Sequence, residues 1–233
     1  MKIITAENLS KSYGKIKAVD SLSFSVEKGE LFGFLGVNGA GKSTVINMLS
    51  TLMKPSSGTA EICGYRLGRN DNEIRSRIGI VYQHNCLDGI LTAEENLIFK
   101  GLLYGMNRSG VKKQLDKVCS ILELADIREK RYSTLSGGQK RRCEIAAALM
   151  HTPEILFLDE PTTGLDPAAR KSVWKTVEEL RRKMGMTVFL TTHYMEEAAS
   201  ANRIVIIDSG KICAEGTPFE LKEKYAKDTL RLY

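Results

Sequence analysis

Gly36-Val37-Asn38-Gly39-Ala40-Gly41-Lys42-Ser43-Thr44 is the stretch whose reading decides the fold. It follows an apolar run, Leu31-Phe32-Gly33-Phe34-Leu35, that predicts a buried strand, and it leads into Thr44-Val45-Ile46-Asn47-Met48-Leu49, which predicts the first turns of a helix. A strand, a glycine-rich turn and a helix start carrying Gly-Lys-Ser make a phosphate-binding loop. The glycines let the backbone curl until successive N–H groups point inward at one anion, and the helix start adds its partial positive charge. Lys42 would reach the β- and γ-phosphates as a point charge, and the Ser43 hydroxyl would ligate Mg²⁺. By itself the loop says nucleoside triphosphate; the rest of the chain must say to what end.

The 233 residues suffice for one domain, or one domain with a subdomain, and the composition (42% hydrophobic, 27% charged) is that of a folded globular chain. No run of about 18 apolar residues occurs, so no membrane span is expected. Met1-Lys2-Ile3-Ile4-Thr5-Ala6-Glu7 lacks the basic-then-apolar build of a secretory signal, and a cytosolic chain is expected. Five scattered cysteines (Cys63, Cys86, Cys119, Cys143 and Cys213), none in a C-x-x-C pair, argue for reduced structural thiols rather than disulfides or zinc. The formal charge of +6 could favour nucleic acid or anionic headgroups. Basic residues cluster only briefly, at Lys140-Arg141-Arg142 and Arg181-Arg182-Lys183, so a solvated surface is the expected account.

Working outward, Lys2 to Leu9 and Leu22 to Val26 alternate as strands joined through Tyr13-Gly14-Lys15. After the turn Pro55-Ser56-Ser57-Gly58, short strands are expected around Ala60–Ile62 and Ile78–Tyr82. The texture changes after Gln83. Thr92-Ala93-Glu94-Glu95 is a capping box for a helix to about Tyr104, and a second helix is expected from about Val111 to Leu124. A third begins near Gly138 and is stopped by Pro153, so residues from about 90 to 140 read as a helical insert in an α/β core. Beyond it come the strand Ile155–Leu158, a helix from Pro167 to Met184 and the strand Thr187–Leu190. A short helix after Tyr194, the strand Ile204–Ile207, a hairpin at Ser209-Gly210, a helix near Glu220–Tyr225 and a polar tail complete the chain. Strands alternating with helices predict a mostly parallel sheet with ligand at the strand C-terminal ends.

Ile155-Leu156-Phe157-Leu158-Asp159-Glu160 ends an apolar strand in two acids. Asp159 stands where a carboxylate can hold the Mg²⁺ shell, and Glu160 would face the γ-phosphate and polarise a water. Leu135-Ser136-Gly137-Gly138-Gln139 supplies a second cradle, with Ser136 and two glycines at a helix N-terminus.

That pentapeptide resembles the signature of the ABC-type ATPases, and the resemblance extends from Lys2 to about Tyr225. It implies that two subunits pack head to tail, each ATP lying between one subunit's phosphate loop and the other's signature. Gln83 resembles the glutamine that contacts Mg²⁺ or water and links to the transport partner. Asp166, in Gly164-Leu165-Asp166, resembles the aspartate placed at the dimer interface. His193, in Thr191-Thr192-His193, resembles the histidine on the γ-phosphate, and Tyr13 resembles the aromatic under adenine. Val37 and Tyr82 stand where the family often has proline, which touches only local loop geometry.

The resemblance thus implies an α/β fold: a P-loop NTPase core with a mostly parallel sheet (1–89 and 141–233), an antiparallel β subdomain and an inserted α-helical subdomain (about 90–140) bearing the signature. ATP is expected at Tyr13, Gly36, Val37, Asn38, Gly39, Ala40, Gly41, Lys42, Ser43 and Thr44, and across the dimer at Ser136, Gly137, Gly138, Gln139 and Asp166. Mg²⁺ is expected at Ser43, Gln83 and Asp159, and catalysis from Glu160, His193, Gln83 and Lys42. The expected activity is hydrolysis of ATP to ADP and phosphate, driving transport, with export indicated by Pro161–Pro167 and Thr192–Ala198. Expected partners are a second copy or a related ATPase subunit and an integral membrane permease, which would hold the chain on the inner face of the cell membrane. The alternative is a soluble ABC ATPase acting on nucleic acid or ribosomes. Against it, Lys42 and Ser136 lie too close for the long coiled coil of the chromosome-maintenance members, and one cassette stands where translation factors usually have two. A nucleotide kinase would not need Ser136-Gly137-Gly138-Gln139.

Overall fold

The computed structural model describes residues 1–225, so the polar tail expected beyond them lies outside the described residues. Strand β3 (Leu31–Leu35) is the centre of the molecule, fully buried and paired in parallel with β8 (Thr187–Thr192) and β9 (Arg203–Asp208). β7 (Ile155–Asp159) continues the parallel ladder beside β8, and β6 (Ile78–Val81) ends it. Only β10 (Lys211–Gly216), hairpinned onto β9, runs antiparallel, giving the order β10-β9-β3-β8-β7-β6.

The unbroken apolar runs follow from burial of both sheet faces, and strand periodicity sorts their side chains. Leu31, Leu35, Leu156, Leu158, Val188 and Leu190 face the helices. Phe32, Phe34, Phe157 and Phe189 face the other way, where Phe24 joins them with its ring centroid 5.6–6.1 Å from those of Phe32, Phe34 and Phe189. Phe24 belongs to a second, antiparallel sheet. There β1 (Lys2–Tyr13) and β2 (Ile16–Glu27) form a hairpin turning at Gly14, and β4 (Ser57–Ile62) and β5 (Tyr65–Arg66) follow in the order β2-β1-β4-β5. Helix α1 (Lys42–Leu49) packs Val45, Ile46, Met48 and Leu49 into this layer. The fold is therefore α/β with a mostly parallel sheet, an antiparallel sheet and helices, as expected.

α1 starts two residues earlier than its apolar pattern indicated, because Gly41 in the left-handed region turns the chain directly into Lys42. The short helix α2 (Asp71–Arg75) and strand β5 are too brief to carry a periodic signal. α3 (Ala93–Leu103) has the expected capping box, Thr92 and Glu95 each bonding the other's backbone N–H. α4 (Arg108–Ile121) begins and ends about three residues before expectation, because the Asn107 side chain caps it by accepting from Gly110 N–H. α5 (Gly137–Leu149) ends before Pro153 is reached. α6 (Pro167–Met184) matches expectation at both ends, while α7 (Met195–Ala198) and α8 (Pro218–Tyr225) complete the described chain.

One expectation fails outright. Arg141, read with its neighbours as solvated surface, is only 4% exposed, because α5 packs against other helices on both sides and the guanidinium bonds inward. Arg142 also bends inward, donating to the Glu123 carbonyl at 3.1 Å beyond the end of α4. All five thiols are free, as expected; burial pushes Cys143 up to about 12 and Cys63 up to about 11, so neither is a nucleophile at neutral pH.

Candidate nucleotide site

The strand ends of β3, β7 and β8 lie side by side, with the register pairing Leu35 with Thr192 and Asp159 with Thr191. The phosphate loop therefore opens next to two acids far away in sequence. A cleft of about 360 Å³ lies there, lined by Ala18, Asn38, Gly39, Gly41, Lys42, Ser43, Thr44, Gln83 and Glu160. The loop's backbone is anchored, Gly36 N–H donating to the Thr192 carbonyl and Ala40 N–H to that of Val37. Val37 itself is exposed and Ala40 buried.

The Lys42 ammonium is buried in this cleft and has three partners: the carbonyls of Gly36 (2.7 Å) and Val37 (3.1 Å), and Glu160 Oε1 at 3.1 Å. Its donors are thus satisfied, as a buried charge requires. Glu160 Oε2 lies 3.3 Å from His193 Nδ1 and accepts from the Thr163 hydroxyl. Glu160 has a φ of 46°, a left-handed conformation that costs a non-glycine residue about 1–2 kcal/mol and turns its side chain back toward the loop. Asp159 Oδ1 accepts from Ser43 Oγ at 3.2 Å and from Thr191 Oγ1 at 2.6 Å, and Thr191 Oγ1 also accepts from Glu160 N–H.

These contacts bring Gly36 through Thr44, Gln83, Asp159, Glu160 and His193 to one place. Tyr13 stands apart from the cleft's lining, half exposed, with its hydroxyl on Met53 Sδ and Lys11 Nζ 5.6 Å from its ring centre. The other candidates form a second cluster. Ser136 caps α5 in a capping box with Gln139, whose side chain returns to Ser136 N–H at 3.0 Å. A Cβ on Gly137 would meet Leu165 at 2.9 Å, and one on Gly138 would meet Ala169 at 3.0 Å, so α5 needs these glycines to approach α6. Asp166 caps α6 through Ala169 N–H at 2.9 Å. None of these five residues lines the cleft.

Ala18 and Thr191 belong to the site without having been assigned a part in it. Thr191 ends a strand beside a polar neighbour, a weak local signal. Ala18 has none, since only the folding of β2 over the loop brings it there. Arg141 and Glu144 bond the segment around Gln83; the first was hidden inside a basic cluster and the second just beyond it carried no signal of its own.

The geometry has counterparts. Residues 19–163 match the family model described as "ABC transporter". The chain is 45% identical over 229 residues to the linearmycin resistance ATP-binding protein LnrL of Bacillus subtilis, covering 98% of this chain and 73% of that protein. It is 43% identical over 232 residues to the daunorubicin/doxorubicin resistance ATP-binding protein DrrA of Streptomyces peucetius, covering 99% and 70%. The dimeric post-hydrolysis structure of the ATP-binding cassette MJ0796 with ADP and Pi superposes with a TM-score of 0.82 at 28% identity, over 92% of this chain and 98% of that one. With a family model spanning most of its core and close relatives along nearly its full length, the chain belongs to the ABC transporter family of ATP-binding proteins.

Proposed function

We propose that this protein is the ATP-hydrolysing subunit of an exporter, working as a head-to-tail pair on a separate membrane permease. The observation that carries the reading is that one chain holds two anion cradles, at the starts of α1 and α5, that do not share a cleft. A second copy turned end for end resolves this, each ATP lying between Lys42 and Ser43 of one chain and Ser136–Gly138 of the other. Every charge-assisted contact so made contributes about 1.5–3 kcal/mol, and several together close the pair. Asp166, one helix start away, then faces the partner copy.

In the cleft, arriving phosphates would take the place of Glu160 on Lys42 and free that carboxylate to accept a proton from the attacking water. The Ser43 hydroxyl and Asp159 carboxylate, 3.2 Å apart, are hard oxygen donors of the kind Mg²⁺ takes beside nucleotide oxygens, and they fit that ion. When bound, Mg²⁺ would neutralise charge on the β- and γ-phosphates. His193, beside Glu160, would contact the γ-phosphate; Gln83 would reach ion or water; Tyr13 would lie under adenine.

No helix among the described residues is long and apolar enough to cross a membrane, so transport requires a partner that does. Ile90, in the segment that follows Gln83, and Phe99 and Leu103, about one turn apart on α3, are exposed apolar side chains that would suit that partner at the inner face of the membrane. The resistance relatives support export over import.

Glu160→Gln is the test. It should keep ATP binding, slow turnover by about 10²- to 10⁴-fold, the range for a general base, and accumulate dimers with ATP in light scattering. A variant that stays monomeric at saturating ATP would sink the proposal.

A further inference from the structure

The segment between β6 and α3 departs from the core at Tyr82 and carries Gln83 to the cleft, yet its backbone is held by the helices. Arg141 donates through Nη1 to the Tyr82 carbonyl (2.5 Å) and through Nη2 to the Gln83 carbonyl (3.0 Å). One turn along α5, Glu144 Oε1 accepts from Cys86 N–H (2.8 Å), Leu87 N–H (3.2 Å) and the Tyr132 hydroxyl (2.8 Å). Asn96 of α3 completes the grip, bonding Asp88 through both its N–H and its carbonyl. Residues Gln83 to Cys86 are exposed, whereas Arg141 and Glu144 are 4% and 6% exposed. Burial pulls the Arg141 pKa below its ordinary value, which marks how dry the site is.

Two buried opposite charges on one helix normally pair with each other to offset their desolvation. Here, the Tyr132 hydroxyl on Glu144 apart, both direct their hydrogen bonds at the main chain of a surface loop, one on each side of residues 84–85. Such bonds fix backbone position, and a loop so fixed follows the element that holds it.

We propose that Arg141 and Glu144 are positioning residues that tie the Gln83 loop to α5, so that Gln83 moves with the helix whose first turn carries Ser136, Gly137 and Gly138. The inference rests on the proposed role of Gln83 in the cleft. It gives a route between the two nucleotides of a dimer: a shift of α5 as its cradle takes the partner's ATP is delivered, a few residues along the same helix, to Gln83 in its own cleft.

Glu144 offers a sharp test because all three of its donors meet one oxygen. The amide oxygen of Glu144→Gln can stand in the same place, whereas Glu144→Ala leaves the donors unpaired. In steady-state ATPase assays on the purified full chain, Glu144→Ala should lower kcat about 10- to 100-fold, the cost of misplacing a group by about an ångström. Its Kd for ATP, read with a fluorescent ATP analogue, should stay within about threefold of the parent, and Glu144→Gln should restore kcat to within about twofold. In a Gln83→Ala background, Glu144→Ala should lower kcat no further, since the residue acts through Gln83. A merely structural role would lower kcat, affinity and melting temperature together and would multiply with Gln83→Ala, and either result overturns the proposal. An unchanged kcat in Glu144→Ala overturns it as well. If Glu144→Ala is insoluble, Arg141→Ala releases the other side of the loop and is held to the same outcomes. A parent protein without ATPase activity would instead refute the functional proposal on which this one rests.

Discussion

Gly41 shows how much a single residue can decide. Its φ of 108° is outside the range an L side chain adopts at ease, and a Cβ there would lie 2.5 Å from the Ala18 carbonyl oxygen of β2. Gly39, at φ 83°, has nothing within 4 Å of such a Cβ. The two glycines look alike in sequence but differ physically, one answering to conformation and packing and the other to conformation alone. Gly41→Ala should cost at least about 2–3 kcal/mol of stability and raise the Kd for ATP more than tenfold. Gly39→Asn, whose side chain tolerates the left-handed region, should cost about 1 kcal/mol. Thermal melts and nucleotide titrations of both variants check this, and equal effects would contradict it. At this scale the motif residues were legible because their chemistry is local: glycines for the turn, a lysine for charge, a hydroxyl for a metal. Ala18 was not, because it acts through its position over the loop.

Elements were legible wherever burial imposed a period. β3 and α6 have the ends their patterns indicated, and the capping box at Thr92 formed where its spacing called for it. α4 shifted because one side chain, Asn107, outbid the apolar pattern for the helix start. The junction of α3 and α5 makes its own prediction. His151, just beyond α5, stacks on Tyr104 at the end of α3 with ring centroids 3.7 Å apart and planes within 7°. Its Nε2 bonds the Ile78 carbonyl, while Nδ1 is buried without a partner. Burial, helped by the charge of Lys100, lowers its pKa from the ordinary 6.5. The unfolded chain therefore takes up this proton near pH 6.5 while the folded chain resists it. This contribution to stability is intact above pH 6.5 and declines as pH falls below it. The melting temperature should drop between about pH 7.5 and 5.5, by about 2–4 °C for each kcal/mol lost. His151→Phe keeps the stack but cannot titrate and should flatten that slope; an unaltered slope would remove His151 from the account.

For the whole molecule the question is whether one chain suffices. Ser136→Arg places a bulky cation at the start of α5, remote from the cleft of its own chain. It should abolish hydrolysis, a loss of at least about 10²-fold, while leaving the Kd of the isolated chain for ATP within about threefold. Loss of binding in the monomer would mean that the second cradle serves its own chain. What the sequence by itself determined is the chemistry of each cradle and which stretches form the buried strands and the helices, because turns, caps and apolar runs are set within a few residues. Only the tertiary structure decided that Asp159 bonds Ser43 across 116 positions, that Glu160 holds Lys42, and that Arg141 of a basic cluster and Glu144 just beyond it turn inward to grip a loop. The physical reason is that these contacts depend on which strand ends the parallel sheet sets side by side and which helix face it leaves dry, and neither is written in any short stretch of chain.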